Sequence, residues 1–174
     1  MTLGLESGVV RLVPYDPAWP GLFAAEAERL QKLLKAAGLV VVLEHVGSTA
    51  IPGLTAKPVL DILGGYPEGA SVADYVGALT KAEYVHRGEQ GIPGREFFRR
   101  GNPRSYHLHL TVIDGPFWRD HLTFRNRLRA DESLRDAYAA LKRDLVVRFP
   151  REREAYIDGK APFVKEILGH PQSP

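Results

Sequence analysis

The chain has 174 residues, 44% of them hydrophobic and 25% charged, which is enough for one domain-sized core and short for two. Its formal net charge of +2 is too small to argue for nucleic acid as a partner, and the absence of cysteine excludes a disulfide scaffold, a thiolate zinc site and a cysteine nucleophile. No apolar run is long enough to span a bilayer, and Met1 to Ser7 lack the basic start and apolar stretch of a signal peptide, so a cytoplasmic protein with one domain over 1–174 is expected.

In chain order, Val9 to Val13 reads as a short strand ending at Pro14. A turn from Tyr15 to Pro20 leads into a helix over Leu22 to Ala37, with Leu22, Phe23, Leu30, Leu33 and Leu34 near helical spacing and Glu26, Glu28, Arg29, Lys32 and Lys35 mostly on other faces. Gly38 stops it. Leu39 to Val46 is β-branched and apolar, a buried strand. Val59 to Leu63 is a second strand, which Gly64-Gly65 should end. Ser71 is placed to cap a helix running to about Ala82. Tyr84 to Arg87 and Phe97-Phe98 read as strands on either side of a Gly/Pro loop, and Tyr106 to Ile113 as a longer strand turning at Asp114-Gly115. Helices follow: Phe117 to Ala130, one capped by Asp131 and running to Phe149, and one from Arg151 to Leu168 broken near Gly159 and Pro162. That order predicts an α+β fold, a small mixed sheet flanked by helices with a helical C-terminal part.

The residues with chemistry cluster in two places. The first is Glu44-His-Val-Gly-Ser-Thr-Ala-Ile-Pro-Gly-Leu-Thr-Ala-Lys-Pro-Val-Leu-Asp-Ile62. Gly47 lets backbone approach a ligand, and Ser48, Thr49 and local N–H groups can receive phosphate oxygens, although on spacing alone a tight turn is the better explanation of the dipeptide. Asp61 stands among Val59, Leu60, Ile62 and Leu63. A carboxylate on a core strand needs bonds from nearby backbone, a basic partner such as Lys57, or a metal such as Mg²⁺. The second place is Tyr106-His-Leu-His-Leu110. His107 and His109 project from one face of a strand, where two imidazoles can bind a metal, contact phosphate or share proton transfer. Glu44 and His45 occupy opposite-facing positions, so only one of them can face a site. Lys57 and Arg100 are candidate phosphate partners, with a solvated basic loop as the plainer reading.

The first segment, together with Val-Pro-Tyr-Asp-Pro-Ala-Trp at 13–19, Tyr-His-Leu-His-Leu at 106–110, Leu122-Thr-Phe-Arg-Asn-Arg-Leu128 and Tyr138-Ala-Ala-Leu-Lys142, resembles the GrpB-like (UPF0157) family across nearly the whole chain. That resemblance implies the nucleotidyltransferase (polymerase beta-like) fold and, through relatives fused to dephospho-coenzyme A kinase, a nucleotide or coenzyme A context. The superfamily pattern is Gly-Ser, a loop, two carboxylates separated by one residue, and a third acid on a later strand. Gly47, Ser48 and Asp61 match it. Val59 stands where the first carboxylate belongs, and His107 and His109 stand about where the third acid is sought. The implied metal set is Asp61, His107 and His109 with Glu44, holding Mg²⁺ or Mn²⁺ or, because imidazole suits softer ions, Zn²⁺. Asp61, His107 and His109 are also the catalytic candidates. Gly47, Ser48, Thr49, Lys57 and Arg100 are the phosphate-binding candidates.

Three functions remain open on this reading. They are transfer of a nucleoside monophosphate from a triphosphate to an unknown acceptor, binding of a nucleotide or coenzyme A-related molecule without catalysis, and metal-dependent phosphoester hydrolysis. The expected partner is a nucleotide or other phosphorylated small molecule, with no membrane and no nucleic acid; the oligomeric state is left open.

Overall fold

The computed structural model describes residues 3–6 and 9–169. A five-stranded mixed sheet lies at its centre, in the order β1-β2-β5-β4-β3. Its strands are β1 (Val42–Val46), β2 (Leu60–Tyr66), β3 (Val85–His86), β4 (Glu96–Arg100) and β5 (Tyr106–Val112). The central pair β2 and β5 is parallel, and the other neighbours are antiparallel. Helices α1 (Trp19–Ala36) and α2 (Val72–Lys81) are followed by α3 (Pro116–Ala130), α4 (Glu132–Arg148), α5 (Arg153–Asp158) and α6 (Ala161–Leu168). The expected α+β class is therefore the observed one.

Alternation along the strands gives the sheet two unlike faces. Ile62, Phe98, Leu108 and Leu110 point to one face and pack with Leu30 and Leu34 of α1 and Tyr75 and Leu79 of α2. On the other face Val46 and Leu63 pack against Trp118 of α3. A separate apolar cluster ties the loop residues Ile51 and Leu54 to Leu128, Tyr138 and Ile167. It holds the C-terminal helices over the turn that follows β1. Among the described residues, no helix is long and apolar enough to cross a membrane.

Several local expectations change. Val9 to Val13 forms no strand among the described residues; Val13 makes an isolated bridge to Ala56. Gly64-Gly65 does not end β2, which continues to Tyr66. Those glycines lie inside the strand because side chains approach them. A Cβ on Gly65 would stand 2.7 Å from the Trp118 ring, and one on Gly64 would stand 3.2 Å from Leu110. Glu26 is not a solvated helix residue. It is buried, where it receives Arg29, Arg100 and the Tyr84 hydroxyl. Ser71 precedes α2 but makes no capping bond, whereas Asp131 accepts the Leu134 N–H as expected of a cap. The predicted break near Gly159 separates α5 from α6.

Candidate functional site

The end of β1 lies beside the start of β2, with Val46 opposite Asp61. The chain then turns at Gly47, whose φ of 71° and ψ of −174° belong to a region that side chains avoid. A single 3₁₀ turn, Ser48–Ala50, follows. The parallel register sets His107 of β5 opposite Asp61 and His109 two residues on, so all three side chains share one face. His107 Nδ1 lies 3.0 Å and His109 Nε2 lies 3.5 Å from Asp61 Oδ1. Burial pushes the Asp61 carboxyl up. The hydrogen bonds from the two imidazoles outweigh that and hold it well below the usual carboxylate range.

Gly47, Ser48, Asp61, His107 and His109 line one cleft of about 440 Å³, of a size for a small-molecule ligand. Thr49 lines it too, but its hydroxyl is hydrogen-bonded 3.0 Å from His45 Nε2, and His45 stacks on Phe23 behind the sheet. Burial lowers the His45 pKa to about 4, so this imidazole is a neutral core residue. Lys57 borders the cleft, with its Nζ 4.2 Å from the centre of the Tyr156 ring. Val59 is buried and lines the same cleft, so the position of the missing carboxylate does face the site.

Two candidates lie elsewhere. Glu44 shares the face of Asp61 but accepts a 2.6 Å bond from Arg125 Nη1, and it is outside the metal-capable cluster found among the described residues, which is Asp61, His107 and His109. Arg100 points to the opposite face of the sheet, where it is bound to Glu26 at 3.0 Å and Glu83 at 3.3 Å. Alternation alone explains it: Arg99 lies opposite His107 and shares its face, so Arg100 cannot.

Sequence reading passed over one central residue. Lys142 of α4 is 1% exposed and donates 3.0 Å to Ser48 Oγ and also to the Thr55 carbonyl. Burial, helped by the nearby charges of Lys160, Lys57 and Arg143, lowers its ammonium pKa to about 6. The only hint was a lysine inside an otherwise core-facing helical stripe. His121 of α3 also enters the cleft. Its Nδ1–H donates 2.9 Å to the Phe117 carbonyl, and burial brings its pKa to about 4, so it presents neutral imidazole.

The Asp-His-His set suits a divalent ion. The ligand atoms of the three residues lie within 4.8 Å of one another. The separations of 3.0 and 3.5 Å are those of donor atoms sharing one ion at bonds of about 2.0–2.2 Å. His107 Nε2 and His109 Nδ1 are buried without a hydrogen-bond partner, so nothing else fixes those rings by a second bond. One carboxylate and two imidazoles favour Zn²⁺, Mn²⁺ or Fe²⁺ over Mg²⁺.

The cleft thus combines a metal-capable end with a lysine-lined end around a Gly-Ser turn. A family model described as GrpB protein matches residues 9–170. A UPF0157 protein of Pseudomonas aeruginosa is 40% identical over 165 residues, covering 92% of this chain and 66% of that protein. The UPF0157 protein YqkA of Bacillus subtilis is 33% identical over 157 residues, with 90% of this chain and 45% of that protein covered. The chain therefore spans about half to two thirds of the length of these two relatives. A dephospho-CoA kinase of Mycolicibacterium paratuberculosis is 31% identical over 185 residues, 90% of this chain and 44% of that protein. The crystal structure of GrpB from Enterococcus faecalis superposes with a TM-score of 0.81 at 33% identity, over 91% of this chain and 95% of that one. Two further solved structures share the fold at low identity. Cid1 poly(U) polymerase has a TM-score of 0.56 at 13% identity, over 78% of this chain and 44% of that one. The GLD-2/RNP-8 complex has a TM-score of 0.59 at 10% identity, over 90% and 60%. The chain belongs to the GrpB family and has a nucleotidyltransferase-like fold.

Proposed function

We propose that this GrpB-family chain binds a nucleoside triphosphate with one divalent metal and transfers the nucleoside monophosphate to an acceptor hydroxyl. The observation that carries the reading is the convergence of Ser48, Lys142 and the Asp61-His107-His109 group on one cleft. Ser48 and the N–H groups after Gly47 would receive phosphate oxygens. Lys57 and Lys160, both set against the Tyr156 ring, would bind the charge that builds on the leaving pyrophosphate, and Lys142 would hold the Ser48 hydroxyl in place beside them. In the transfer, the acceptor oxygen forms a bond to the α-phosphorus, the bond from that phosphorus to the bridging oxygen breaks, and pyrophosphate leaves as the hydroxyl proton is released. A divalent ion held by Asp61, His107 and His109 would neutralise phosphate charge and acidify the attacking hydroxyl. The nucleotide-bound state of one fold neighbour, Cid1 with MgGTP, is in keeping with this assignment.

Val59 supports a second reading. A buried valine faces the cleft where two-metal transfer needs a carboxylate, and a nucleotide- or coenzyme A-binding protein without transfer chemistry would tolerate it. Thermal shifts with nucleoside triphosphates and coenzyme A, each with Mg²⁺, Mn²⁺ or Zn²⁺, followed by an assay for pyrophosphate release, separate the two. Metal-dependent stabilisation with pyrophosphate release supports transfer. Stabilisation without release under every metal and acceptor selects the binding reading.

A further inference from the structure

Lys142 offers Ser48 more than an anchor. Its Nζ lies 3.0 Å from Ser48 Oγ, and it also donates to the Thr55 carbonyl. Tyr138, one turn earlier on the same face of α4, sets its hydroxyl against Ser48, and its ring centre lies 4.8 Å from Lys142 Nζ. Lys142 and Tyr138 are 1% and 5% exposed, whereas Ser48 is half-buried and lines the cleft. A neutral amine has two N–H groups and one lone pair. With one N–H given to Thr55, the lone pair can accept the Ser48 O–H. A hydroxyl at the cleft wall, a base within hydrogen-bond reach and a third group that orients the base are the parts of an activated nucleophile.

Lysine acts as a base only while it is neutral. Burial, with the charges of Lys160 and Lys57, brings the Lys142 ammonium to about 6 and so keeps the amine neutral at pH 7. A phosphate bound against Ser48 would act the other way, because its negative charge favours the ammonium form and removes the base. An uncharged carbonyl group exerts no such pull. When a nucleophile adds to it, negative charge builds on its oxygen, and the two charges that depress Lys142 favour that change. The Ser48–Lys142 pair therefore suits an acyl carbon better than phosphorus as its electrophile.

We propose that Ser48 is a nucleophile toward activated acyl esters, with Lys142 as its general base, and that the protein hydrolyses such esters at the lysine end of the cleft. This activity shares the cleft with the transfer reading but does not rest on it. Ser48 Oγ forms a bond to the carbonyl carbon as its proton passes to Lys142 Nζ. The tetrahedral adduct then expels the alcohol oxygen, which takes the proton from Lys142, and acyl-Ser48 remains. Water adds to that ester and gives a proton to Lys142. The bond from carbon to Ser48 Oγ breaks, and Oγ takes the proton back. The net change is ester and water to carboxylic acid and alcohol. Tyr138 is a positioning residue that holds the Ser48 hydroxyl against the amine.

The full chain is mixed with p-nitrophenyl acetate and quenched in acid, and acetylation is followed residue by residue by peptide mass spectrometry. Ser48 is expected to be acetylated much faster than the exposed Ser133, with a rate that rises through about pH 6 and levels off above it. Release of p-nitrophenol should continue past one equivalent, as acetyl-Ser48 is hydrolysed. Lys142→Met should slow acetylation of Ser48 by about a hundredfold or more, and Ser48→Ala should abolish the turnover. Acetylation of Ser48 no faster than that of Ser133 overturns the proposal, as does an unchanged rate in a Lys142→Met protein with a native-like melt. A wild-type rate that climbs with hydroxide and never levels off overturns it without recourse to a variant. Release that stops at one equivalent overturns the hydrolysis.

Discussion

A Cβ added to Gly47 would stand 2.5 Å from Asp61 Oδ2 and 3.0 Å from Asp61 Cβ. The turn after β1 and the carboxylate of β2 are therefore fitted to each other, and two constraints meet at one residue. Its φ of 71° disfavours any side chain, and its contact with Asp61 leaves no room for one. Gly47→Ala is expected to lower stability by about 1–3 kcal/mol from backbone strain and to push Asp61 off the two imidazoles. Urea unfolding and Mn²⁺ or Zn²⁺ titration of the same variant check both halves. Unchanged metal affinity would show that the fit to Asp61 has no bearing on the ion.

Asp61→Asn keeps the shape of the side chain and removes its charge. If Asp61, His107 and His109 hold an ion, the substitution is expected to weaken Zn²⁺ or Mn²⁺ binding by on the order of a hundredfold or more, because loss of even an outer partner costs 10–100-fold. Isothermal titration after stripping with chelator gives the affinity. Equal metal binding in wild type and variant sinks the metal assignment.

Lys142 carries a pH signature whose sign is fixed. The unfolded chain keeps this amine protonated to about pH 10.5, the folded protein only below about 6. Between those values the unfolded state binds the extra proton, so the group makes stability rise with pH, by at most about 1.4 kcal/mol per unit, and its full penalty is present below pH 6. His45, depressed by burial to about 4, acts in a lower window, where its stabilising share is lost as pH falls from 6.5 toward 4. Lys142→Met is expected to flatten the slope between pH 7 and 9 and to weaken triphosphate binding. Urea midpoints at the two pH values, with and without ATP, measure this. An unaltered slope would mean that Lys142 is charged in the fold.

The sheet, its neighbours Asp61, His107 and His109, and the Gly-Ser turn were legible in the sequence because each rests on short-range rules. Alternation put His107 and His109 on one face, and an acid within Val59 to Leu63 demanded a partner. What was hidden depends on distant packing. Lys142 lies 94 residues from Ser48, and only the docking of α4 over the 51–54 loop joins them. Gly64-Gly65 looked like a strand end because the Trp118 ring that crowds Gly65 comes from another element. Arg100 and Glu44 matched site chemistry by type, but each is taken by a charged partner remote in sequence, Glu26 and Arg125.

The Glu44–Arg125 pair yields a prediction opposite to that for Asp61. Arg125 is mostly buried and also donates 2.9 Å to the His45 carbonyl, so it ties α3 to the end of β1. Arg125→Met is expected to cost about 2 kcal/mol, chiefly from the carbonyl left unpaired, since Glu44 is exposed enough to hydrate. Metal affinity should stay within a few-fold of wild type. A large rise in metal affinity on freeing Glu44 would instead make that carboxylate a fourth ligand.

Val59→Asp tests whether the cleft has the geometry of its fold. Position 59 lies two residues before Asp61 and lines the same cleft, so an aspartate there would set two carboxylates side by side. Without metal the new acid is costly, because a largely buried carboxylate beside a like charge costs several kcal/mol or titrates up instead. With Mg²⁺ the cost should reverse, since hard cations favour oxygen donors and the pair would share the ion. The variant is expected to melt well below wild type in chelator and to regain most of that loss in Mg²⁺, with a larger Mg²⁺-dependent shift than wild type. Melts in chelator, Mg²⁺ and Zn²⁺ decide it. A variant that Mg²⁺ does not rescue would mean that the cleft cannot hold a hard cation between positions 59 and 61, and the transfer reading would then have to work with the single Asp-His-His ion alone.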